Sequence, residues 1–253
     1  MMAAGALSLF AVAQTQPVGA PTEGGIITVR LFQEGRSLDL GFETFGLQLQ
    51  ADGTFRLVSS GFLAAGERGL RPFQDLQLDA EFRSLEYTLF QRLPNGQDQL
   101  VRAEIQGDRA TLSLEGPDGE RREGTVTSEG REFLLLDPNV LSHFWLAWKR
   151  FFQSGRDPLA VLRLRPQNLD SPTEPTTLTR VGKAVLRTGE TQIEADEIRL
   201  APPPEGKPRV QTVRLFGLEG KWIAALTEPS EEGQPEVLIF RSDLFPRGLE
   251  VVR

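Results

Sequence analysis

A chain of 253 residues with 39% hydrophobic and 25% charged side chains has the composition of a folded globular protein rather than a disordered one. Its formal charge of −7 argues against a nucleic-acid-binding surface, which needs a basic face, and against electrostatic adsorption to anionic lipid. Without cysteine the chain can form neither disulfides nor thiolate metal sites, and it lacks the residue that anchors a lipoprotein to lipid.

The first predicted element is a signal peptide. Residues 3–12 form an apolar run of small and aliphatic side chains, and Ala11-Val12-Ala13 gives a small-x-small cleavage pattern before Gln14. No Lys or Arg precedes the run, so a start upstream of Met1 and a short disordered terminus are open alternatives. Neither this run nor any later one is long and apolar enough to cross a bilayer. We therefore expect residues 1–24 to be a signal peptide and flexible N-terminus, no transmembrane anchor, and a periplasmic or secreted protein.

Residues 25–136 are predicted to form short antiparallel strands in a meander. Apolar and polar residues alternate along them, and Asp52-Gly53 and Asn95-Gly96 are strong hairpin-turn signals. The connections leave no room for the crossover helices of a parallel sheet.

Two changes of phase in the alternation predict bulges or bends, because a regular strand would otherwise turn its core face to water. The first follows Glu43: Leu38, Leu40 and Phe42 share one face, and the apolar positions then shift by one residue. The second lies near Asp196.

Residues 138–153 are predicted to form one helix, capped by Asp137 and ended by Gly155. Polar residues, among them Lys149 and Arg150, lie on one side of the helical wheel, and His143 lies at their edge. The apolar arc, with five aromatic rings, consists of Val140, Leu141, Phe144, Trp145, Trp148, Phe151 and Phe152.

The predicted fold is mainly β: a curved antiparallel meander sheet, half-barrel or roll, with one amphipathic helix packed on the concave face. We expect a single β-rich domain over residues 25–253. Its two strand-rich halves, 25–136 and 157–253, are joined by the helix at 138–153.

Catalytic and metal-binding patterns are scarce. His143 is the only histidine, and Ser142 beside it projects about 100° away on a helix, so the two make no nucleophile–base pair. The densest acidic group, at residues 190–197, lacks the spacing of an EF-hand and is typical of a solvated strand edge. We therefore predict no catalytic residue, no metal site and no cofactor.

The aromatic helix has two interpretations. It fills the core by covering the curved sheet, or its apolar face lines a cavity for a hydrophobic or lipid-like ligand. On the second interpretation the cavity-lining residues are Leu141, Phe144, Trp145, Trp148, Phe151 and Phe152.

A family resemblance accompanies these features. It is carried by Leu40-Gly41-Phe42-Glu43-Thr44-Phe45 before a D-G-T turn, by Leu135-Leu136-Asp137-Pro138-Asn139 with His143, and by the closing hydrophobic strands. These segments resemble a group of uncharacterised exported bacterial β proteins, similar in architecture to periplasmic lipoprotein carriers, whose half-barrel is covered by helices. The resemblance spans most of the mature chain and implies the same half-barrel, although one helix stands where the carriers have more.

Three functions follow as hypotheses. The first is an exported cell-envelope protein that binds or carries an apolar small molecule or lipid. The second is a non-enzymatic envelope scaffold or assembly module that contacts other proteins, and the third is a hydrolase that uses carboxylates alone. A cavity would favour the first hypothesis, a filled core the second, and a buried carboxylate pair in a cleft the third.

Overall fold

The structure, a computed structural model, describes residues 22–33, 36–64, 69–137, 139–202, 212–228 and 235–252. The predicted signal peptide therefore lies outside the described residues. The first strand begins at Glu23, two residues before the predicted start of the β domain at residue 25. Within the described part of the chain, no helix has the length and apolar character needed to cross a membrane.

The described residues contain sixteen strands and one helix. In chain order they are β1 Glu23–Gln33, β2 Arg36–Leu49, β3 Phe55–Leu63, β4 Arg71–Leu78, β5 Ser84–Arg92, β6 Asp98–Gln106, β7 Arg109–Glu115, β8 Arg121–Thr127, β9 Glu132–Leu135, α1 Ser142–Ser154, β10 Leu159–Leu164, β11 Thr173–Thr188, β12 Thr191–Ala201, β13 Val213–Leu218, β14 Lys221–Thr227, β15 Glu236–Arg241 and β16 Glu250–Val251.

All sixteen strands belong to one sheet, in the order β8-β7-β6-β5-β4-β3-β2-β1-β15-β14-β13-β12-β11-β10-β9, with β16 beside β11. Successive strands pair antiparallel from β1 to β8 and from β10 to β15, as the turn signals predict, and antiparallel pairing of β1 with β15 joins the two runs. The predicted fold, a mainly β, curved sheet with one helix on its concave face, is confirmed. The strands that end this order, β8 and β9, follow each other in the chain but do not pair, so the sheet is not closed.

One connection departs from the predicted meander. Strands β9 and β10 pair in parallel, and the chain crosses between them through α1. The prediction of an antiparallel meander is therefore wrong at this one pairing. A parallel neighbour needs a long connection, and the helix supplies it.

Both predicted bulges have counterparts a few residues away. Between β1 and β2 the register shifts at Val29/Arg30, which leaves Leu40 as the extra residue, three positions before Glu43. Between β11 and β12 it shifts at Arg180/Gly182, so the extra residue lies on β11 rather than at Asp196.

The concave inner face of the sheet carries the main core, and the helix lies within it. The side chains of Leu57, Leu76 and Leu89, at alternate positions of neighbouring strands, are fully buried there. A second apolar cluster, which includes Phe216 and Phe240, lies on the outer face and packs with residues of the C-terminal segment.

Helix α1 is enclosed on nearly every side. Its buried residues include the two tryptophans of the apolar arc. They also include His143, Leu146 and Arg150, which lie outside that arc on the helical wheel. The guanidinium of Arg150 is bonded to the carboxylate of Glu132 on β9. The predicted amphipathic pattern therefore underestimates burial, because the curved sheet contacts more than one face of the helix.

Candidate functional site

The start of helix α1 is capped by a residue that lies 98 positions earlier in the chain than Leu141. The carboxylate of Glu43, on β2, accepts hydrogen bonds from the backbone N–H of Leu141 at 2.6 Å and of Ser142 at 3.1 Å. These N–H groups precede the first helical hydrogen bonds and need outside acceptors. Because Glu43 lies on the inner face and is 1% exposed, its cap ties the helix directly to the sheet.

Asp137, which the sequence predicted as the helix cap, serves the turn before the helix instead. One carboxylate oxygen accepts a bond from the backbone N–H of Asn139 at 3.0 Å and another from the Gln167 amide. The other oxygen accepts the hydroxyl hydrogen of Tyr87 at 3.1 Å. The helix itself begins at Ser142, four residues later than predicted, and no side chain of residue 141 caps it.

His143 is fully buried, so its predicted place at a polar edge was wrong. Its Nδ1 accepts a hydrogen bond from the backbone N–H of Asp137 at 2.9 Å, and its Nε2 lies 2.8 Å from Oε1 of Gln74. An Nδ1 that accepts requires the hydrogen to be on Nε2, which therefore donates to Gln74. The Gln74 amide nitrogen in turn donates to the hydroxyl of Ser142 at 2.6 Å.

Burial sets the charge state of these groups. Desolvation lowers the pKa of His143 from 6.5 to about 3, so the imidazole is neutral at physiological pH. Desolvation also raises the pKa of Glu43 and of Asp137, partly offset by hydrogen bonds to each carboxylate, and it raises the pKa of Tyr87. The network is a buried anchor for the helix, since its titratable members are within 2% of full burial.

The indole rings of the helix are held by the sheet. Nε1 of Trp145 donates to the carboxylate of Glu23 at 2.8 Å, and the ring lies 5.7 Å from that of Phe45. Nε1 of Trp148 donates to the backbone carbonyl of Gly220 at 3.2 Å. Both rings have 0% exposed surface, so protein atoms cover them completely.

The structure brings the six predicted cavity-lining residues together on the inner side, with different degrees of burial. Leu141, Trp145, Trp148 and Phe151 are buried, and Phe144 is half-buried against the core. The exception is Phe152, which is 36% exposed and packs on Trp148 with a ring separation of 4.6 Å.

The acidic residues near position 196 are used in ion pairs. Glu197 binds Arg214 through two contacts of 2.8 Å, and Asp196 lies 2.9 Å from Lys183. In the ranges that the structure describes, no cluster of three His, Asp or Glu side chains has the geometry to hold a metal ion.

A second candidate site, which sequence reasoning missed, lies on the outer face. It is a stripe of apolar side chains across five neighbouring strands, here called the aromatic stripe: Phe42, Phe62, Phe73, Phe90 and Leu100. Phe42 was predicted to share one face with Leu38 and Leu40, but the bulge at Leu40 places it on the outer face. A usable signal was present, because Phe73 and Phe90 are out of phase with the buried leucines of their own strands.

The fold and the anchored helix define a mainly β, barrel-like protein whose sheet is unclosed and whose concave side holds a helix. A similar fold is found in the crystal structure of a β-barrel-like protein of the domain of unknown function DUF1849 from Brucella abortus. The TM-score is 0.55 and the identity 10%, over 94% of this chain and 100% of that one. A DUF1089 family protein from Pseudomonas aeruginosa matches with a TM-score of 0.41 and 15% identity, over 74% of this chain and 90% of that one. No protein-family model matches the chain, and no curated protein matches it significantly.

Proposed function

We propose that this chain is an exported, non-enzymatic protein of the cell envelope that acts as a scaffold or assembly module through the outside of its sheet. The observation that carries the proposal is the complete burial of Trp145 and Trp148 against the concave face. A site where the protein's own helix fills the space has no room for a ligand of comparable size. A protein partner would therefore bind to the outer face of the sheet.

The energetics of the helix support this proposal. Burying one large apolar side chain is worth roughly 1.5–3 kcal/mol, so exposing Trp145, Trp148 and Phe151 together would cost a large part of a typical net stability of about 5–15 kcal/mol. Release would also leave Glu43 and the N–H groups of Leu141 and Ser142 without their partners. The helix is thus held as part of the core.

Export is supported by the sequence of residues 3–13, with their apolar run and small-residue cleavage pattern. A chain without cysteine has no thiol to oxidise in an oxidising compartment such as the periplasm.

Carriage of an apolar ligand is the second candidate function. The observation that favours it is the seam between β8 and β9, which end the sheet without pairing with each other. A carrier of this build would have to admit its ligand along that seam and displace the helix that carries Trp145 and Trp148.

The proposal is tested on protein isolated natively from the envelope of its own host. Intact-mass measurement before and after denaturation should show a chain that begins at or near Gln14 and no stoichiometric small molecule. An abundant soluble cytoplasmic form with Met1 intact would contradict export. One lipid-like molecule bound per chain would contradict the scaffold function and support carriage of an apolar ligand instead.

A further inference from the structure

The aromatic stripe breaks the rule that the solvent face of an antiparallel sheet is polar. Phe42 and Phe73 are each 48% exposed and Phe90 is 40% exposed, while Phe62 and Leu100 are half-buried. Scattered exposed apolar residues need no explanation, whereas the largest contiguous apolar patch of a monomer, typically about 300–600 Å², is often functional.

Strand register makes the stripe continuous. Phe42 lies opposite Phe62, Phe73 opposite Phe90, and Phe90 opposite Leu100. Phe73 pairs with Ser60, two residues from Phe62, which places the two rings on diagonal neighbours within reach of each other. With strands about 4.8 Å apart, the four steps from β2 to β6 span about 19 Å.

Cations lie on both long edges of the stripe. On one edge is Arg71, whose guanidinium lies 6.0 Å from the ring centre of Phe62. On the other is Arg102, opposite Thr88. Both are exposed, and neither forms an ion pair with another residue of the described ranges.

The size of the stripe indicates a narrow occupant. A phenylalanine left 40–48% exposed presents about 80–100 Å², so the whole stripe offers on the order of 400 Å². That is about half of the roughly 800 Å² per partner in a standard stable interface. A helix about 10 Å wide covers such an area, and 19 Å corresponds to about 13 helical residues.

We propose that the aromatic stripe binds an amphipathic helix of a partner protein, whose apolar face is flanked on both sides by acidic residues. This inference rests on the proposed function and names its surface and partner. The helix lies across the strands with its apolar side chains between the phenylalanines. Its acidic residues reach Arg71 on one edge and Arg102 on the other.

Two other occupants fit the surface less well. A second copy would bring together two chains of net charge −7 over an area too small for a stable dimer. An anionic membrane presents an extended charged surface to the whole protein, which the net charge of −7 disfavours.

The test uses the folded protein and two fluorescein-labelled helical peptides of 18 residues, followed by anisotropy. Both carry the same leucine face; one has glutamates along its flanks and the other lysines. We expect the glutamate peptide to bind about tenfold more tightly than its lysine twin at low salt. Replacing both cations, Arg71→Gln with Arg102→Gln, should remove this preference. The double variant Phe73→Ser and Phe90→Ser should lose at least about tenfold in affinity for the glutamate peptide.

The control is Leu244→Ser, which removes an exposed leucine (46%) outside the stripe and should bind like the wild type. Circular dichroism melts check that each variant is folded. The inference is overturned if neither peptide binds, or if the Phe73/Phe90 variant binds as the wild type does. It is equally overturned if the stripe variants instead abolish a dimer seen by sedimentation or binding to phosphatidylglycerol vesicles. None of these outcomes bears on whether the interior carries a ligand, which the isolation experiment decides separately.

Discussion

The indole of Trp148 lies directly over Gly217 of β13, in the space that a Cβ atom at that position would need. The glycine is opposite Trp222 in the neighbouring strand, so two large rings flank the one position without a side chain. This contact fixes the helix at a single depth on the concave face and accounts for the complete burial of Trp148.

Replacing Gly217 should therefore loosen the helix. We expect Gly217→Ala to lower the free energy of unfolding by about 1–3 kcal/mol, as for overpacked cores, measured by urea denaturation. Gly124→Ala on β8 is the matched control, since its new Cβ would meet only Leu169 at 3.9 Å. Equal stability of the two variants would show that Trp148 does not occupy this space.

The cap from Glu43 gives a second prediction. Glu43→Gln replaces one acceptor oxygen by an N–H₂ group that faces the N–H groups of the helix start. We expect a loss of about 1–3 kcal/mol in the free energy of unfolding, the cost of a buried donor without a partner. The exposed Glu86→Gln on β5 should change stability by less than about 0.5 kcal/mol. Comparable effects of both variants would contradict the cap.

The third prediction concerns pH. Because burial lowers the pKa of His143 from 6.5 to about 3, the unfolded chain binds this proton more readily than the folded one between those values. The contribution of His143 to stability is therefore complete above pH 6.5 and falls as the pH drops, by at most about 1.4 kcal/mol per unit. Glu43 and Asp137 have raised pKa values and act in the opposite direction, because their protonation favours the folded state on acidification.

The variant His143→Gln keeps Glu43 and Asp137 and so isolates the histidine. Urea denaturation of both proteins from pH 7.5 to pH 4.5 should show the stability difference between them shrinking as the solution is acidified. A difference that stays constant over this range would mean that His143 titrates normally and is not buried as described.

Local patterns in the sequence predicted the element types because alternation, turn glycines and Gly155 act over a few residues. Gly155 ends the helix in the left-handed conformation, as expected. The pairing of β1 with β15 and the cap of Leu141 by Glu43 join residues far apart in the chain, and no local pattern encodes them.

The candidate sites were predictable in part. The aromatic arc of the helix does face the sheet, but a helical wheel assumes one buried side, whereas His143 and Arg150 are buried as well. Whether its residues line a ligand cavity stays a prediction. The aromatic stripe depends on strand register, since Phe73 and Phe90 become neighbours only when β4 and β5 pair.

In this structure the helix fills the concave side of the sheet, with Trp145 and Trp148 fully buried. All three tryptophans, Trp145, Trp148 and Trp222, have no exposed surface, so their fluorescence reports on that space. The decisive measurement is acrylamide quenching of this fluorescence, with and without saturating cis-parinaric acid. A permanently seated helix should give weak quenching that the fatty acid does not alter, and no saturable energy transfer from tryptophan to the polyene. Saturable transfer at one fatty acid per chain, with a changed quenching constant, would contradict it.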